Sequence, residues 1–192
     1  MKAKILDKQT FEQLVDLENT QGNYCGTYCC AVLLSYFQKH FTPAILPDFL
    51  QENTQQSQAS LVEILKLLVQ PFGFPTLPIE LSIGLNRFFR RYQLPYRAHS
   101  TTMVCLTRIK KRIDAGLPLI VGLSKKRGSD YGNHWVVCYG YLQNEDGSYD
   151  LLVHDVWGNP AKIIPANHSC HLHFVDTRSK QPSDFHSHSL FS

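Results

Sequence analysis

One stretch of this sequence is apolar on nearly every side of a predicted helix. From Gly26 the chain runs through two adjacent cysteines and a series of aliphatic and aromatic residues to Phe37. A helix that is apolar all round belongs in the centre of a domain, where other elements cover it. The sequence therefore predicts a central helix, and the remaining chain must supply the layers around it.

Cys25 stands at the first turn of this predicted helix. The unpaired amides and the positive end of the dipole at a helix N-terminus favour a thiolate, which is the nucleophilic form of cysteine. A free thiol with a pKa of about 8.5 is only slightly ionised at neutral pH, so a partner has to activate it. A lone cysteine at such a position is more often an inert core residue. That structural interpretation is favoured for the other cysteines of apolar stretches, Cys29, Cys30, Cys105 and Cys138.

Length and composition limit the possible classes of protein. With 192 residues and 43% hydrophobic composition, we expect a single domain over 1–192, with a core at about 20–176 and a loose polar tail at 177–192. The net charge of +3 comes from basic pairs and triplets without interleaved aromatic residues, so no nucleic-acid partner is predicted. We find neither a signal-peptide pattern nor a membrane-spanning stretch. The sequence predicts a cytoplasmic protein as synthesised, with reduced thiols and no membrane association; secretion without a signal peptide stays open.

Helical patterns dominate the first half of the chain. The central helix is expected to end at Thr42-Pro43, and the polar run 52–58 is interpreted as a surface loop. Ser60 and Glu63 have the capping-box spacing and predict that the next helix starts at Ser60. Further helical patterns cover 11–17, 46–51, 81–92 and 102–116.

The second half of the chain changes to the pattern of strands. Residues 117–123 predict a buried strand, and 134–141 with 149–155 predict a hairpin. Shorter strands are predicted at 96–99, 161–164 and 171–175. Helices followed by an antiparallel sheet indicate an α+β chain with a helical half and a sheet half.

His134 is the most promising partner for Cys25, because it opens a strand after a glycine-bearing loop. Asp155 ends the neighbouring strand and is followed closely by Trp157. An acceptor on that strand can hold the imidazole in the tautomer that takes a proton from sulfur, and the indole would exclude water. Asn159 is a lesser alternative to Asp155 as the acceptor. Taken singly, His134 could be a polar strand-edge residue and Asp155 a turn residue.

A second group of polar residues lies near the end of the chain. His171 and His173 alternate on a predicted strand and would share one face, so they could bind zinc together. His168, Cys170 and the tail residues His186 and His188 are nearby in the sequence. No Cys-x-x-Cys pair accompanies them, and we favour solvent-exposed strand residues over a metal site. No metal and no cofactor is predicted.

Together these motifs resemble those of the papain-like cysteine peptidases, in particular the bacteriocin-processing (double-glycine) peptidase branch and its stand-alone relatives. The resemblance covers about residues 20–160 and is carried by four segments: Gln21 with Cys25-Gly26, Gly116 to Val121, Gly132 to Val137, and Asp155 to Gly158. It implies a papain-like α+β fold in which the nucleophile helix packs against an antiparallel sheet.

The resemblance also implies a role for each site residue. Cys25 would be the nucleophile, His134 the general base and later acid, and Asp155 the orienting residue. Gln21 would donate to the oxyanion beside the backbone amide of Cys25. Gln21 lies four residues before Cys25, closer than the resemblance leads us to expect.

The implied reaction is attack of a cysteine on an amide carbonyl, with a thioester acyl-enzyme that water hydrolyses. Cleavage of a peptide bond in a peptide or protein substrate is the favoured interpretation. The same residues could deamidate glutamine, transfer an acyl group to an amine, or modify another cell's protein as a toxin or effector. A catalytically idle module that grips a peptide in the same cleft is the alternative from a different class.

Overall fold

The computed structural model describes residues 3–20, 22–41, 44–52 and 54–177. Within these residues the chain forms five α-helices and seven β-strands, and every strand pairing is antiparallel. The predicted α+β class is confirmed. The helices are α1 (Lys8–Gln13), α2 (Cys25–His40), α3 (Gln55–Val69), α4 (Pro78–Arg91) and α5 (Leu106–Asp114). The strands are β1 (Ala3–Ile5), β2 (Tyr96–Thr101), β3 (Leu119–Leu123), β4 (His134–Gln143), β5 (Tyr149–His154), β6 (Lys162–Pro165) and β7 (Ser169–Thr177).

Helix α2 is the centre of the molecule, as its all-round apolar character predicts. Eleven of its 16 residues are buried. It packs against β4 and β3 of the sheet and against α3 and α4. Lys39 and His40 lie in its last turn, where positive charge complements the helix dipole. Burial on all sides fixes the position of the helix and therefore of its first residue, Cys25.

The sheet brings the ends of three strands to one edge of α2. The strand order is β2-β7-β3-β4-β5-β6, and β1 pairs with the second half of β4. Leu123 at the end of β3 pairs with His134 at the start of β4. On the other side of β4, His154 at the end of β5 pairs with Val137. The residues that follow β5 therefore continue toward His134.

The start of α3 differs from the prediction. The polar run 52–58 is not a loop throughout, because α3 begins at Gln55. Thr54 accepts a hydrogen bond from the Ser57 amide at 3.1 Å, and Ser57 accepts one from the Thr54 amide at 3.1 Å. This reciprocal pair caps the helix six residues before the predicted cap at Ser60. The first turn of α3 is polar because it is largely exposed.

Helices α3 and α4 approach each other closely at Gly84. A Cβ atom at this position would lie 2.7 Å from the Cα atom of Val69 and 2.9 Å from the carbonyl oxygen of Leu68. Glycine therefore sets the distance between the two helices. This close contact fixes the segment between them, 70–77, which borders the site described below.

Other elements also start later or earlier than predicted. Helix α5 begins at Leu106 rather than at 102, with Cys105 in an extended conformation before it. Helix α4 begins at Pro78, because proline suits the first turn of a helix. Strand β1 was not predicted. The predicted helix end at Thr42-Pro43 and the tail beyond Thr177 lie outside the described residues.

The cysteines follow the predictions with one exception. All six are free thiols, and Cys29, Cys30 and Cys138 are buried in the core as predicted. Cys105 is exposed, so its assignment to the core was wrong. It precedes an amphipathic surface helix whose apolar residues, Ile109 and Ile113, face inward instead. Among the described residues, no helix has both the length and the apolar character that crossing a membrane requires.

Candidate active site

Cys25 is the first residue of α2 and borders a cleft between the helical half and the sheet half. The cleft has a volume of about 400 Å³, and His134 lines it as well. Burial raises the pKa of the Cys25 thiol, and the backbone N–H groups of Trp135, Gly26 and Cys25 itself oppose this rise. The helix terminus is therefore not sufficient to give a thiolate, because loss of hydration outweighs the amides. The influence of the Trp135 amide shows that the sulfur lies close to the start of β4.

Gln70 holds the chain on both sides of Cys25. Its side chain is buried at the end of α3, and its Oε1 atom accepts a hydrogen bond of 2.7 Å from the Thr27 hydroxyl. Its Nε2 atom donates to the carbonyl oxygens of Asn23 at 2.9 Å and Phe74 at 2.7 Å. The sequence analysis did not identify this residue. The only sequence signal is a polar side chain directly after the apolar face of α3.

Gly26 permits one wall of the cleft to approach α2. A Cβ atom on Gly26 would lie 2.6 Å from the side-chain oxygen of Thr76. The backbone carbonyl of Thr76 accepts a hydrogen bond of 3.1 Å from the indole of Trp135 on β4. The segment 75–78 is thus fixed to both halves of the molecule. The opposite wall is formed by the ends of β3, β4 and β7, namely Gly122, Leu123, Ser124, Asn133, His134, Trp135, Cys170 and His171.

His134 is held in one tautomer by a main-chain oxygen. Its Nε2 atom lies 2.8 Å from the carbonyl oxygen of Asp155, and the residue is only 3% exposed. A carbonyl can only accept, so Nε2 carries the proton and Nδ1 of the neutral ring is the acceptor. Burial lowers the pKa of His134 from 6.5, and the carbonyl and charge of Asp155 oppose the decrease. At neutral pH the imidazole is therefore a base with Nδ1 available.

Two aromatic rings cover the imidazole. The ring centroid of Trp157 lies 3.9 Å from that of His134, and the ring of Tyr131 stacks at 5.2 Å. Trp157 is 46% exposed, so one part of the indole shields His134 while another meets solvent. This arrangement agrees with the expectation that the indole keeps water from the hydrogen bond of the histidine.

The carboxylate of Asp155 does not contact His134 through a hydrogen bond of its own. Its Oδ2 atom accepts from the Tyr131 hydroxyl at 2.7 Å, and Oδ1 accepts from the amides of Trp157 at 2.8 Å and Asn159 at 2.9 Å. The sequence analysis placed the right residue beside His134, but the acceptor is its carbonyl. The side chain instead accepts from two amides of its own turn and from Tyr131 in the loop before β4. Asn159 is not the acceptor either, because its side chain accepts from the Ala161 amide at 3.0 Å.

The histidines of β7 are partly buried, which differs from the prediction of exposed strand residues. His173 is 1% exposed, and its Nδ1 atom lies 3.0 Å from the Ser82 hydroxyl of α4. Burial lowers the pKa of His173 to about 4. His171 lines the cleft, and the Trp135 ring contacts both imidazoles. His173 therefore attaches the helical half to the sheet.

The possible metal ligands and Gln21 are the remaining candidates from the sequence. Among the described residues, no group of three histidine, cysteine, aspartate or glutamate side chains is arranged to bind a metal ion. His186 and His188, which belong to the zinc alternative that the sequence analysis did not favour, lie outside the described residues. Gln21 also lies outside them, so its role as an oxyanion donor stays a prediction.

A central helix that starts at a cysteine and packs on an antiparallel sheet is the arrangement that the sequence resemblance implies. The protein is a member of the papain-like cysteine peptidase superfamily. Within that class, the model of the Peptidase_C39 like family matches residues 5–171, so the chain belongs to this family.

Comparison with solved structures and with curated proteins gives two further results. The crystal structure of a candidate C39-like peptidase from Bacillus anthracis matches with a TM-score of 0.54 and 13% sequence identity. The match covers 92% of this chain and 99% of that one. At this identity the similarity concerns the fold. No curated protein matches the sequence.

Proposed function

We propose that this protein is a cysteine peptidase that hydrolyses a peptide bond through a thioester, with Cys25 as the nucleophile and His134 as the base. The observation that carries the proposal is the tautomer of His134. Its Nε2 atom is committed to the Asp155 carbonyl, so Nδ1 can accept a proton in the cleft that Cys25 borders. The family supports a peptidase-like activity, and the residue roles are our inference.

In the proposed first step, thiol and imidazole both start as neutral groups. Burial raises the pKa of Cys25 and lowers the pKa of His134, so the neutral pair is favoured at rest. As the sulfur attacks the substrate carbonyl, Nδ1 of His134 takes its proton. The resulting imidazolium keeps its hydrogen bond to the carbonyl of Asp155, and the negative charge of that residue stabilises it. The backbone amide of Cys25, with Gln21 as a predicted second donor, would stabilise the oxyanion.

The remaining steps return both groups to their starting state. The imidazolium donates its proton to the leaving amine, the carbon–nitrogen bond breaks, and the acyl group stays on the sulfur as a thioester. Water then attacks the thioester, and His134 takes a proton from the attacking water. Collapse of this second intermediate releases a carboxylic acid, and the sulfur regains its proton.

The proposed substrate is a peptide or a protein. No metal or cofactor enters the mechanism. Release of ammonia from a glutamine side chain would follow the same steps, and an amine in place of water would give acyl transfer. We favour peptide hydrolysis because it is the activity that the family name implies.

The first test is the pH dependence of Cys25 alkylation by iodoacetamide, measured on individual peptides by mass spectrometry. In the wild type we expect the rate to fall as the pH decreases, with an inflection below 6.5, because protonation of His134 removes the base and its pKa is lowered. In His134→Ala the inflection should move above pH 9, since burial raises the pKa of the thiol from 9.0. At pH 7 we expect a rate loss of about 100-fold.

The other thiols provide internal controls. Cys105 is exposed, and its pKa is lowered chiefly by a hydrogen bond from the Thr107 side chain, so it should react equally in both proteins. The variant His99→Ala, which changes a half-exposed histidine of β2 outside the cleft, should leave Cys25 unchanged. If Cys25 ignores the loss of His134, the peptidase proposal fails and the cleft is a binding site at most.

A further inference from the structure

The turn that carries the acceptor of His134 contains a strained residue. Val156 has a φ of +53° and is fully buried between Asp155 and Trp157. This left-handed conformation is rare for a β-branched side chain, which is most restricted in the choice of backbone angles. Such a conformation persists only where the surroundings impose it. The groups that bond to Val156 therefore determine where the carbonyl of Asp155 points.

His154 is bonded to this turn from inside the protein. Its Nδ1 atom accepts a hydrogen bond of 3.2 Å from the Val156 amide, and its Nε2 atom lies 3.1 Å from the carbonyl of Leu14. The first partner is a donor and the second an acceptor, so the ring is neutral with its proton on Nε2. His154 is completely buried and does not line the cleft. It cannot take part in the chemistry directly.

The same turn is also attached to the segment that leads to Cys25. The amide of Asn19 donates to the carbonyl of Val156 at 2.7 Å. The side chain of Asn19 donates to the carbonyl of Gly22 at 2.7 Å. Val156 therefore lies between the main-chain acceptor of the base and the loop before the nucleophile.

We propose that His154 is a positioning residue of the site: by accepting from the Val156 amide it holds the left-handed turn, and with it the Asp155 carbonyl that fixes the tautomer of His134. This inference rests on the proposed function for its catalytic meaning. The contact of His154 with Leu14 orients the imidazole ring, and the contact of Nδ1 with the Val156 amide positions the turn.

Two variants separate the contacts of the two ring nitrogens. In His154→Asn the amide oxygen can occupy the place of Nδ1 and accept from Val156, but the side chain is too short to reach Leu14. In His154→Gln the amide nitrogen can reach Leu14, but no acceptor remains at the place of Nδ1. We expect His154→Asn to retain Cys25 alkylation within about threefold of the wild type, and His154→Gln to lose about tenfold at pH 7, the equivalent of one hydrogen bond.

A third variant tests whether the conformation of Val156 is the cause. Glycine adopts positive φ without strain, so Val156→Gly should restore most of the Cys25 reactivity in the His154→Gln protein. It also provides a background in which His154→Gln can fold if the single variant does not. Equal losses in the Asn and Gln variants, or a loss that Val156→Gly does not restore, would overturn the proposal.

A second measurement is independent of reactivity. The ¹⁵N chemical shifts of His134 report its tautomer, and we expect the Nε2-protonated form in the wild type and in His154→Asn, but a mixture in His154→Gln. A change of tautomer without any His134-dependent reactivity of Cys25 would support the positioning role and contradict the peptidase function. The single Nε2-protonated form in all three proteins would contradict the positioning role alone.

Discussion

The contacts on the two sides of the site join residues that differ greatly in their separation along the chain. On the helical side, Gln70 bonds to Thr27 and Asn23 across 43 and 47 residues. On the sheet side, His134 bonds to Asp155 across 21 residues, and the turn after β5 closes on itself within four. The direct contacts of His134 are therefore made within a hairpin and its adjoining turn, and Asn19 and Leu14 bond to them from the start of the chain. Cys25 is held by contacts between helices that lie far apart in the sequence.

Among the variants that test this difference, removal of the Asp155 carboxylate should lower the free energy of unfolding most. In Asp155→Ala the Tyr131 hydroxyl and two amides lose their acceptor, and we expect the free energy of unfolding to fall by about 3 kcal/mol. Urea unfolding measures this loss, and the alkylation assay should show a less reactive Cys25. Asp150→Ala on the same hairpin removes one acceptor, that of the Asn144 side-chain amide, and should lower the free energy of unfolding by less than about 1 kcal/mol. Equal losses in the two variants would show that the turn does not depend on this carboxylate.

Gln70→Ala tests the helical side. The buried Thr27 hydroxyl would lose its partner, and two carbonyls would lose a donor, so we expect a loss of about 2 kcal/mol in urea unfolding. Cys25 should alkylate more slowly, while the ¹⁵N shifts of His134 stay unchanged because the partners of Gln70 lie in neither the hairpin nor the turn after it. Gln56→Ala, at an exposed site of the same helix, is the matched control. A changed tautomer of His134 in Gln70→Ala would break the distinction between the two sides.

The smallest effect is expected for Tyr131→Phe. This change removes one of the three donors to Asp155 and keeps the ring that stacks on His134. We expect a loss of about 1 kcal/mol in the free energy of unfolding and little change in Cys25 reactivity. Tyr149→Phe, which removes a hydroxyl that accepts from Lys110, is the control and should be nearly neutral. A loss of reactivity as large as that of Asp155→Ala would mean that the hydroxyl alone orients the turn.

The same difference in sequence separation explains which elements could be predicted from the sequence. The two strand patterns that predict the hairpin give β4 and β5 within two residues of their observed bounds, and their pairing brings Asp155 near His134. Both inferences need only local pairing. In the helical half, the predicted cap at Ser60 lies inside α3, because the observed cap pairs Thr54 with Ser57 and lacks the Glu or Gln of the usual capping-box pattern.

Two features of the site could not be predicted from residue types. A valine gives no indication of a left-handed backbone, so neither the φ of Val156 nor the choice of the Asp155 carbonyl as acceptor is readable from the sequence. Gln70 is similar to any polar residue at a helix end until the fold brings Thr27 and Asn23 to it. The sequence indicates the family and the candidate residues, whereas tertiary contacts identify the atoms that position those residues.

The oxygen that accepts from His134 belongs to the main chain, and every amino acid at position 155 would supply one. In evolutionary terms this acceptor is not encoded by any single codon. A descendant could exchange the aspartate and keep the histidine tautomer, provided that other substitutions preserved the path of the turn. What is inherited around His134 is therefore a backbone conformation. The identity of residue 155 alone would not show which descendants keep the same tautomer of His134.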